Sequence, residues 1–550
     1  MNGTATKAPT VTTTTSIRNV VLVGPSGSGK SRLFDHIVGS AVPARAPRSD
    51  GGDAGDATTG LRAATIATGS VVVTLLDAPG NPDFVGEVRA GLRAADAALF
   101  VVSAADGADA ASRALWHECA VGGMPRAVAI TALDARDADF TATLADCQAH
   151  FGAGIQPLGV PVAGDAGAVT SIADLLLDEI HDYSAGERTV RPAGPEHAEV
   201  FDTFRPSLIE GIIEESEDGT LMDRYLEGED LDFATLEKDL LTAIAHGTFH
   251  PVLPLSAETG AGVGVLMHLI EAAFPHPALH PLPTVTPVAG GTAVQLTADP
   301  DGPLVAEVVH TESDAYVGHR SLVRVFSGTL RGDRPVHVSG HLERLGVPTG
   351  EGHAPHDDDV RPGALAAPLD DELLPKTEAI AGEIVVVTKL GSAQTTDTLS
   401  SPDQPLLVTP WALPEALLPS AVAPSSRADE DRMPGAFREL AAEDPSLRIE
   451  HDAATGQVVL WTTGPAHLDL TLARLKERFN VAVRQVPVAV ALRETAIRHA
   501  SAQGRHVKQS GGHGQFAVVH MTIDPLPRGS GNEFHEVVVG GAVPRQFISS

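Results

Sequence analysis

Cysteine is nearly missing from this 550-residue chain: Cys119 and Cys147 are its only two, and they form no close pair. That excludes a disulfide framework or a cysteine zinc centre as the organiser of the fold and suits a reducing, cytoplasmic setting. Long apolar runs are missing as well. Nothing approaches the roughly 18 to 20 consecutive apolar residues of a membrane span, and the Thr-rich stretch Met1 to Ser16 lacks a signal-peptide core. The chain therefore reads as soluble, with no membrane partner and a disordered tail over 1–16. Basic residues are scarce, 39 Lys and Arg against 71 Asp and Glu, and the formal charge of −32 argues against non-specific coating of nucleic acid. The deficit is uneven. From Val486 to Ser550 six basic residues face four acidic ones, a formal +2, so any approach to RNA is expected at that end.

What is present begins with a length that fits roughly three to five domains and 43% hydrophobic residues to fill their cores. The apolar run Val20-Val21-Leu22-Val23 leads into Gly24-Pro25-Ser26-Gly27-Ser28-Gly29-Lys30-Ser31, followed by the helical pattern Arg32 to Val38. Strand, glycine loop and helix are the order of a phosphate cradle. The glycines let backbone N–H groups turn toward phosphates, and the helix adds its positive end. Lys30 is placed to reach the outer phosphates and Ser31 to bind Mg²⁺.

Apolar runs at Ser70 to Leu76, Ala97 to Ala104, Ala127 to Ile130 and His250 to Leu255 alternate with helical patterns at Val85 to Ala95 and Val263 to Ala273. The alternation predicts a parallel sheet with helices on both faces. Arg48 to Gly60 has no periodic face and reads as a loop; 159–249, with helices expected at Leu208 to Ser216 and Asp230 to Ala245, reads as an insertion. These give a nucleotide domain over 17–275. A proline-rich linker, His276 to Pro287, precedes a β-barrel over 285–400, with strands expected at Ala293 to Leu296, Leu304 to Val309, Leu322 to Val325, Pro335 to Val338 and Glu383 to Lys389. The acidic segment His353 to Asp359 inside it reads as a solvated loop rather than a metal site. A second linker, Leu417 to Ser426, precedes an α+β unit over 427–485, and a partial α+β domain follows over 486–550.

Strand-end loops converge on the cradle: Asp77-Ala78-Pro79-Gly80, Thr131 to Asp134, and Ser256-Ala257. This is the layout of a GTP-binding domain. Asp77 would hold Mg²⁺ through water and the Gly80 backbone would sense the γ-phosphate. Asp134 could accept from two donors of guanine, and Ser256 with Ala257 would close over the base.

From about Arg18 onward the chain resembles elongation factor G of translation, especially its actinobacterial-type elongation-factor-G-like paralogues. The resemblance is carried by Asp77 to Phe84, Leu221 to Leu226, Pro251 to Leu253, Arg324 to Leu330, Glu443 to Pro445, Gly464 to Asp469, Arg493 to Thr495, Lys508 to Phe516 and Pro525 to Gly531. It implies a cytoplasmic, monomeric GTPase that uses GTP/GDP and Mg²⁺ and has the ribosome, its RNA and proteins, as partner. By similarity to an Arg-Gly-Ile-Thr-Ile motif, Thr65 in Arg62-Ala63-Ala64-Thr65-Ile66 is the expected third Mg²⁺ residue. Three departures stand out. Asn81 replaces the family's water-orienting histidine beside Lys30 and Gly80, so slow hydrolysis is expected. The Asn-Lys-x-Asp base motif is reduced to Thr131-Ala132-Leu133-Asp134, so weaker nucleotide affinity is expected, without the asparagine that ties loops together. The chain also stops short within the family's fourth domain. A rival class is a nucleotide-binding regulator or decoy with little hydrolysis; a further one is an unrelated P-loop ATPase, which GTP-versus-ATP competition would separate.

Overall fold

The computed structural model describes residues 7–42, 58–152, 154–163, 169–186, 188–229, 231, 233–314, 318–347, 352–492, 494–510 and 512–540. Residues 48–57 of the expected loop, Arg493 and Gly511 lie outside them. The chain divides into two compact units, Met1–Asp452 with Gly456–Val488, and Ala453–Thr455 with Ala489–Ser550.

The first unit opens on a sheet of β1 (Ile17–Val23), β2 (Arg62–Thr68), β3 (Val71–Asp77), β4 (Ala97–Ser103), β5 (Arg126–Thr131), β6 (Ile155–Pro157) and β7 (His250–Pro254), in the spatial order β2-β3-β1-β4-β5-β7-β6. All neighbours are parallel except β2 and β3, which pair antiparallel from Arg62↔Asp77 to Thr68↔Val71. Every residue of β1, β3, β4 and β5 is buried, as continuous apolar runs covered on both faces must be. Helices α1 (Lys30–Ala41), α2 (Val85–Ala94), α3 (Ala110–Val121), α4 (Phe140–Phe151) and α5 (Val263–Ala272) accompany the sheet. Helix α1 faces it with Leu33, Phe34, Ile37 and Val38, spaced one turn apart. Residues 7–16 depart from the expected disordered tail: Ala8 packs against the core and Thr14–Ser16 forms a 3₁₀ turn.

Between β6 and β7 the helices Ala198–Glu214 and Phe233–His246 cover the two expected helical segments, the first starting well before Leu208, Leu221–Leu226 is a further helix, and a four-stranded antiparallel sheet over Gly159–Ala163, Val169–Asp174, Glu179–Asp182 and Thr189–Pro192 precedes them. Those strands are short and polar on much of their surface, which hid them in the sequence.

A barrel-like second region is built on β8 (Val305–Asp314), β9 (Gly318–Ser327), β10 (Leu365–Leu369) and β11 (Ile384–Thr388), around Val308, Val323, Val325 and Val385. Ala293 to Leu296 is not a strand; Val294 makes only an isolated bridge to Val285. The acidic segment is not a loop either, since His356–Val360 pairs with Val336–Gly340 and His337 contacts Asp357 and Asp359. No group of three metal-type ligands occurs among the described residues. Strand β10 also pairs with β2, Leu369↔Ala64, so the two sheets run into each other.

The third region is a four-stranded antiparallel sheet of β12 (Leu418–Pro424), β13 (Arg448–Asp452), β14 (Gln457–Thr462) and β15 (Val483–Val486), packed against α6 (Arg427–Glu443) and α7 (Pro465–Glu477). The expected linker Leu417 to Ser426 is therefore β12, an interior strand. Pro419 and Pro424 fall near its two ends, where a missing N–H costs the ladder least. The second unit, taken by itself, contains a long hairpin, β16 (Ala500–Ser510) with β17 (His513–Ile523), in register from Ala500↔Ile523 to Ser510↔His513.

Candidate functional site

The cradle forms where β1 ends and α1 begins. Gly24, Gly27 and Gly29 hold φ of 152°, 85° and 87°, left-handed values that carry almost no penalty for glycine alone. At Gly24 a Cβ would also run into the Val101 carbonyl oxygen of β4. Lys30 is buried, and its Nζ donates to the carbonyls of Gly24 at 2.7 Å and Pro25 at 2.9 Å. Burial lowers its pKa to about 8, with Asp77 and Asp109 opposing that shift, so the ammonium form still predominates at neutral pH. The Ser28 hydroxyl is buried and makes no hydrogen bond.

At the end of β3, Asp77 is fully buried. Burial raises its pKa, while a hydrogen bond from Ser31 and the charges of Arg62 and Lys30 pull the other way. Its Oδ2 lies 3.2 Å from Arg62 Nη1, whereas its Oδ1 is buried without a partner. An orphaned carboxylate oxygen beside a serine hydroxyl fits a divalent cation or its bound water. Ala78 is buried, its N–H on the Leu22 carbonyl, and Pro79 leads to Gly80. Gly80 presses on the cradle: a Cβ there would fall on the Ser26 amide nitrogen, 2.6 Å from the Pro25 carbonyl carbon and 2.7 Å from Lys30 Nζ.

Thr65 is not at this site. It lies inside β2 opposite Thr74, buried, with the two hydroxyls 3.0 Å apart. The threonine that meets Ser31 is Thr58, hydroxyl to hydroxyl at 3.1 Å. Residues 58–59 close the Gly/Asp-rich loop with two threonines, a polar signal at a loop end that lies outside the Arg62 to Ile66 motif.

The base-side loop is tied to the cradle more firmly than its reduced motif suggests. Thr131 Oγ1 donates to the Ser28 carbonyl at 2.5 Å and packs against Gly29. The expected loss of a loop tie is thus corrected, because a hydroxyl at the end of β5 makes it. Ala132 takes a left-handed φ of 52° and Asp134 is exposed on the turn that follows. Next to it on the sheet, the Leu255 N–H bonds the Ile130 carbonyl, and Ser256 is held by Ala261 and Gly260 in a tight turn with Ala257 half-buried.

Beyond Gly80 the chain is gripped from three sides. Asn81 Oδ1 accepts from the Asp83 N–H at 3.0 Å and so caps the 3₁₀ turn Pro82–Phe84. Asp83 docks on the third region: its carboxylate accepts from the Ala466 N–H at 2.7 Å, in the first turn of α7, and its carbonyl accepts from the Thr463 hydroxyl. Phe84 lies 6.3 Å from the His467 ring. On the second region, Glu87 pairs with His310 at 3.1 Å while accepting from the Leu61 N–H, and Arg93 pairs with buried Glu307 at 2.6 Å. The loop after the phosphate cradle is thereby wired to both neighbouring regions. A cavity of about 250 Å³ lies beside it, lined in part by Pro25, Gly80, Asn81, Val88 and Leu115.

Residues 15–276 match the family described as Elongation factor Tu GTP binding domain, 413–486 Elongation Factor G, domain III, and 488–550 Elongation factor G, domain IV. An elongation factor G-like protein of Mycobacterium tuberculosis is 46% identical over 99% of this chain and 77% of its own length. One from Thermotoga maritima is 30% identical over 97% and 76%. A crystal structure of a Thermus thermophilus protein superposes with a TM-score of 0.76 at 30% identity, over 97% of this chain and 76% of that one.

Proposed function

The chain belongs to the elongation factor G family, in its elongation-factor-G-like branch, and from that premise we propose that it is a ribosome-associated GTPase that binds GTP/GDP with Mg²⁺. The observation that carries this reading is the course of 77–93. It leaves the phosphate cradle at Gly80 and ends on groups of both neighbouring regions, His310, Glu307, Thr463 and Ala466. A loop so connected turns the presence of a γ-phosphate into a change felt by the rest of the molecule.

In this reading Lys30 and the backbone from Gly24 to Gly29 hold the phosphates, Ser31, Thr58 and Asp77 hold the cation, and the Gly80 N–H meets the γ-phosphate. Bound Mg²⁺ would neutralise charge on the β- and γ-phosphate oxygens. Asp134 selects guanine, with Ser256 and Ala257 beside the base. Asn81 is the group nearest the water-orienting role, and the protein acts in the cytoplasm as a monomer on the ribosome, in a step such as translocation, recycling or ribosome protection.

A second reading, a nucleotide-binding ribosome factor with little hydrolysis, is favoured by the Asn81 side chain, which caps Asp83 instead of standing free. Phosphate release from GTP, with and without purified ribosomes, for the unaltered chain and Asn81→His, separates the two. Stimulation of the unaltered chain supports the GTPase; GTP binding without turnover, restored by Asn81→His, supports the second reading; absence of GTP binding rejects both.

A further inference from the structure

Arg62 is the first residue of β2, and its guanidinium is shared among three carboxylates from three parts of the fold. Nη2 reaches Asp35 of α1 at 2.7 Å, Nη1 reaches Asp77 at 3.2 Å, and Nε with Nη2 makes a two-pronged contact with Asp370 at 2.9 and 3.0 Å. The same group lies 4.6 Å above the Phe34 ring. Asp370 belongs to the second region. It sits at the tip of the hairpin formed by β10 and Glu372–Lys376, at a φ of 57°, and its N–H bonds the Ala63 carbonyl at 2.8 Å. The side chains of Asp77 and Asp370 are 0% and 2% exposed, so solvent screens these pairs poorly.

Arg62 is in contact with all three carboxylates, and the Lys30 charge also acts on Asp77. Arg62 holds one oxygen of Asp77, the other is buried without a partner, and the Ser31 hydroxyl acts on the same carboxylate by lowering its pKa. A divalent cation at Ser31 and Arg62 would therefore sit on the two oxygens of one carboxylate and compete for its single charge. Whatever weakens the hold of Arg62 on Asp77 transfers that guanidinium toward Asp370 and Asp35, which are already within bonding distance.

We propose that Arg62 is a positioning residue that couples cation occupancy beside the phosphate cradle to the hold on the Asp370 hairpin of the second region. The proposal rests on the nucleotide-binding reading above. Linkage makes it reciprocal: loading the cation tightens the Arg62–Asp370 contact, and weakening that contact opposes loading.

The test is titration of free Mg²⁺ against the full chain with a fluorescent GDP analogue, for the wild type, Arg62→Gln and Asp370→Asn. Arg62→Gln removes the competing charge and is expected to lower the half-saturating Mg²⁺ concentration about fivefold. Asp370→Asn, isosteric and outside the cradle loop, leaves Arg62 to Asp77 and is expected to raise it about fivefold. Opposite shifts are a result that mere structural damage does not give. Hydrogen exchange over 365–376 is expected to slow on Mg²⁺–GDP loading in the wild type and not in Arg62→Gln. Nucleotide binding with both variants unmoved, or moved in the same direction, overturns the assignment of Arg62 alone. A wild-type chain that binds no guanine nucleotide overturns the GTPase reading and this assignment with it.

Discussion

The hydroxyl of Thr131 at the end of β5 donates to the carbonyl of Ser28 in the phosphate loop at 2.5 Å, with both groups buried. Base-side and phosphate-side loops are thus joined by one bond. Replacing Thr131 by valine keeps the shape and strands the carbonyl. About 1–1.5 kcal/mol is expected to be lost, read as roughly tenfold weaker binding of a fluorescent GDP analogue. Unchanged affinity would mean that the tie is ornamental.

Gly80 leaves no room for a side chain, and the groups in the way include backbone atoms of Ser26 and Pro25. Gly80→Ala must therefore push the 77–81 loop off the cradle, at a cost of about 1–3 kcal/mol. In the proposed reading this is the γ-phosphate side. Competition binding should show a non-hydrolysable GTP analogue losing at least about tenfold in affinity, with GDP losing far less; equal losses would count against a γ-phosphate role for this glycine.

Arg324 of the second region is buried on Asp96 of the first, at 2.7 Å, and Asn19 Nδ2 donates to the same carboxylate at 2.7 Å. Arg324→Ala leaves a buried unpaired charge and is expected to cost about 3–5 kcal/mol, while Arg324→Ala with Asp96→Ala costs less than Arg324→Ala alone. Urea unfolding midpoints of the single and double variants check this. A double variant less stable than Arg324→Ala would contradict it.

Burial disfavours the charged form of His310, but the charge of Glu87 and its hydrogen bond prevail and raise the pKa from 6.5 to about 8. A raised folded-state value means that this pair stabilises fully below pH 6.5 and fades as the pH climbs through about 8. The wild type is expected to lose about 1–2 kcal/mol relative to His310→Gln between pH 6 and pH 9, read from urea midpoints at each pH. A constant difference between the two proteins across that range would refute the assignment.

The phosphate cradle was legible because its signal is local: glycines at forced backbone angles between an apolar strand and a helix need only their neighbours. The strands β1, β3, β4, β5 and β7 were legible for a similar reason, since buried parallel strands are written as unbroken apolar runs. Thr58 was not, because what selects it over Thr65 is the position of Ser31, reached only after β2 pairs with β3. Strand β12 was obscured by Pro and Ser, which mark linkers more often than interior strands. In the sequence Arg62 stands only as the first residue of the Arg62 to Ile66 motif. Its three acidic partners lie 27 residues before it, 15 after and 308 after, a separation no local pattern carries.

The rung between Leu369 and Ala64 makes β2 common property of two bodies, and it is a single rung backed by the Asp370 N–H on Ala63. The backbone seam is narrow, and side chains do most of the joining: barrel residues Val309, Leu322, Ile384 and Val386 share the core of the nucleotide region. Sliding along it by one residue would turn the buried members of β2 outward, Ile66 among them, and the alternation of the strand forbids it. Tilting about it would have to break the Arg324–Asp96, Arg93–Glu307 and Glu87–His310 pairs as well. The backbone of β2 that carries this rung also carries Arg62, the guanidinium that touches Asp77, so the backbone seam between the two regions and the carboxylate beside the cradle lie on one short strand.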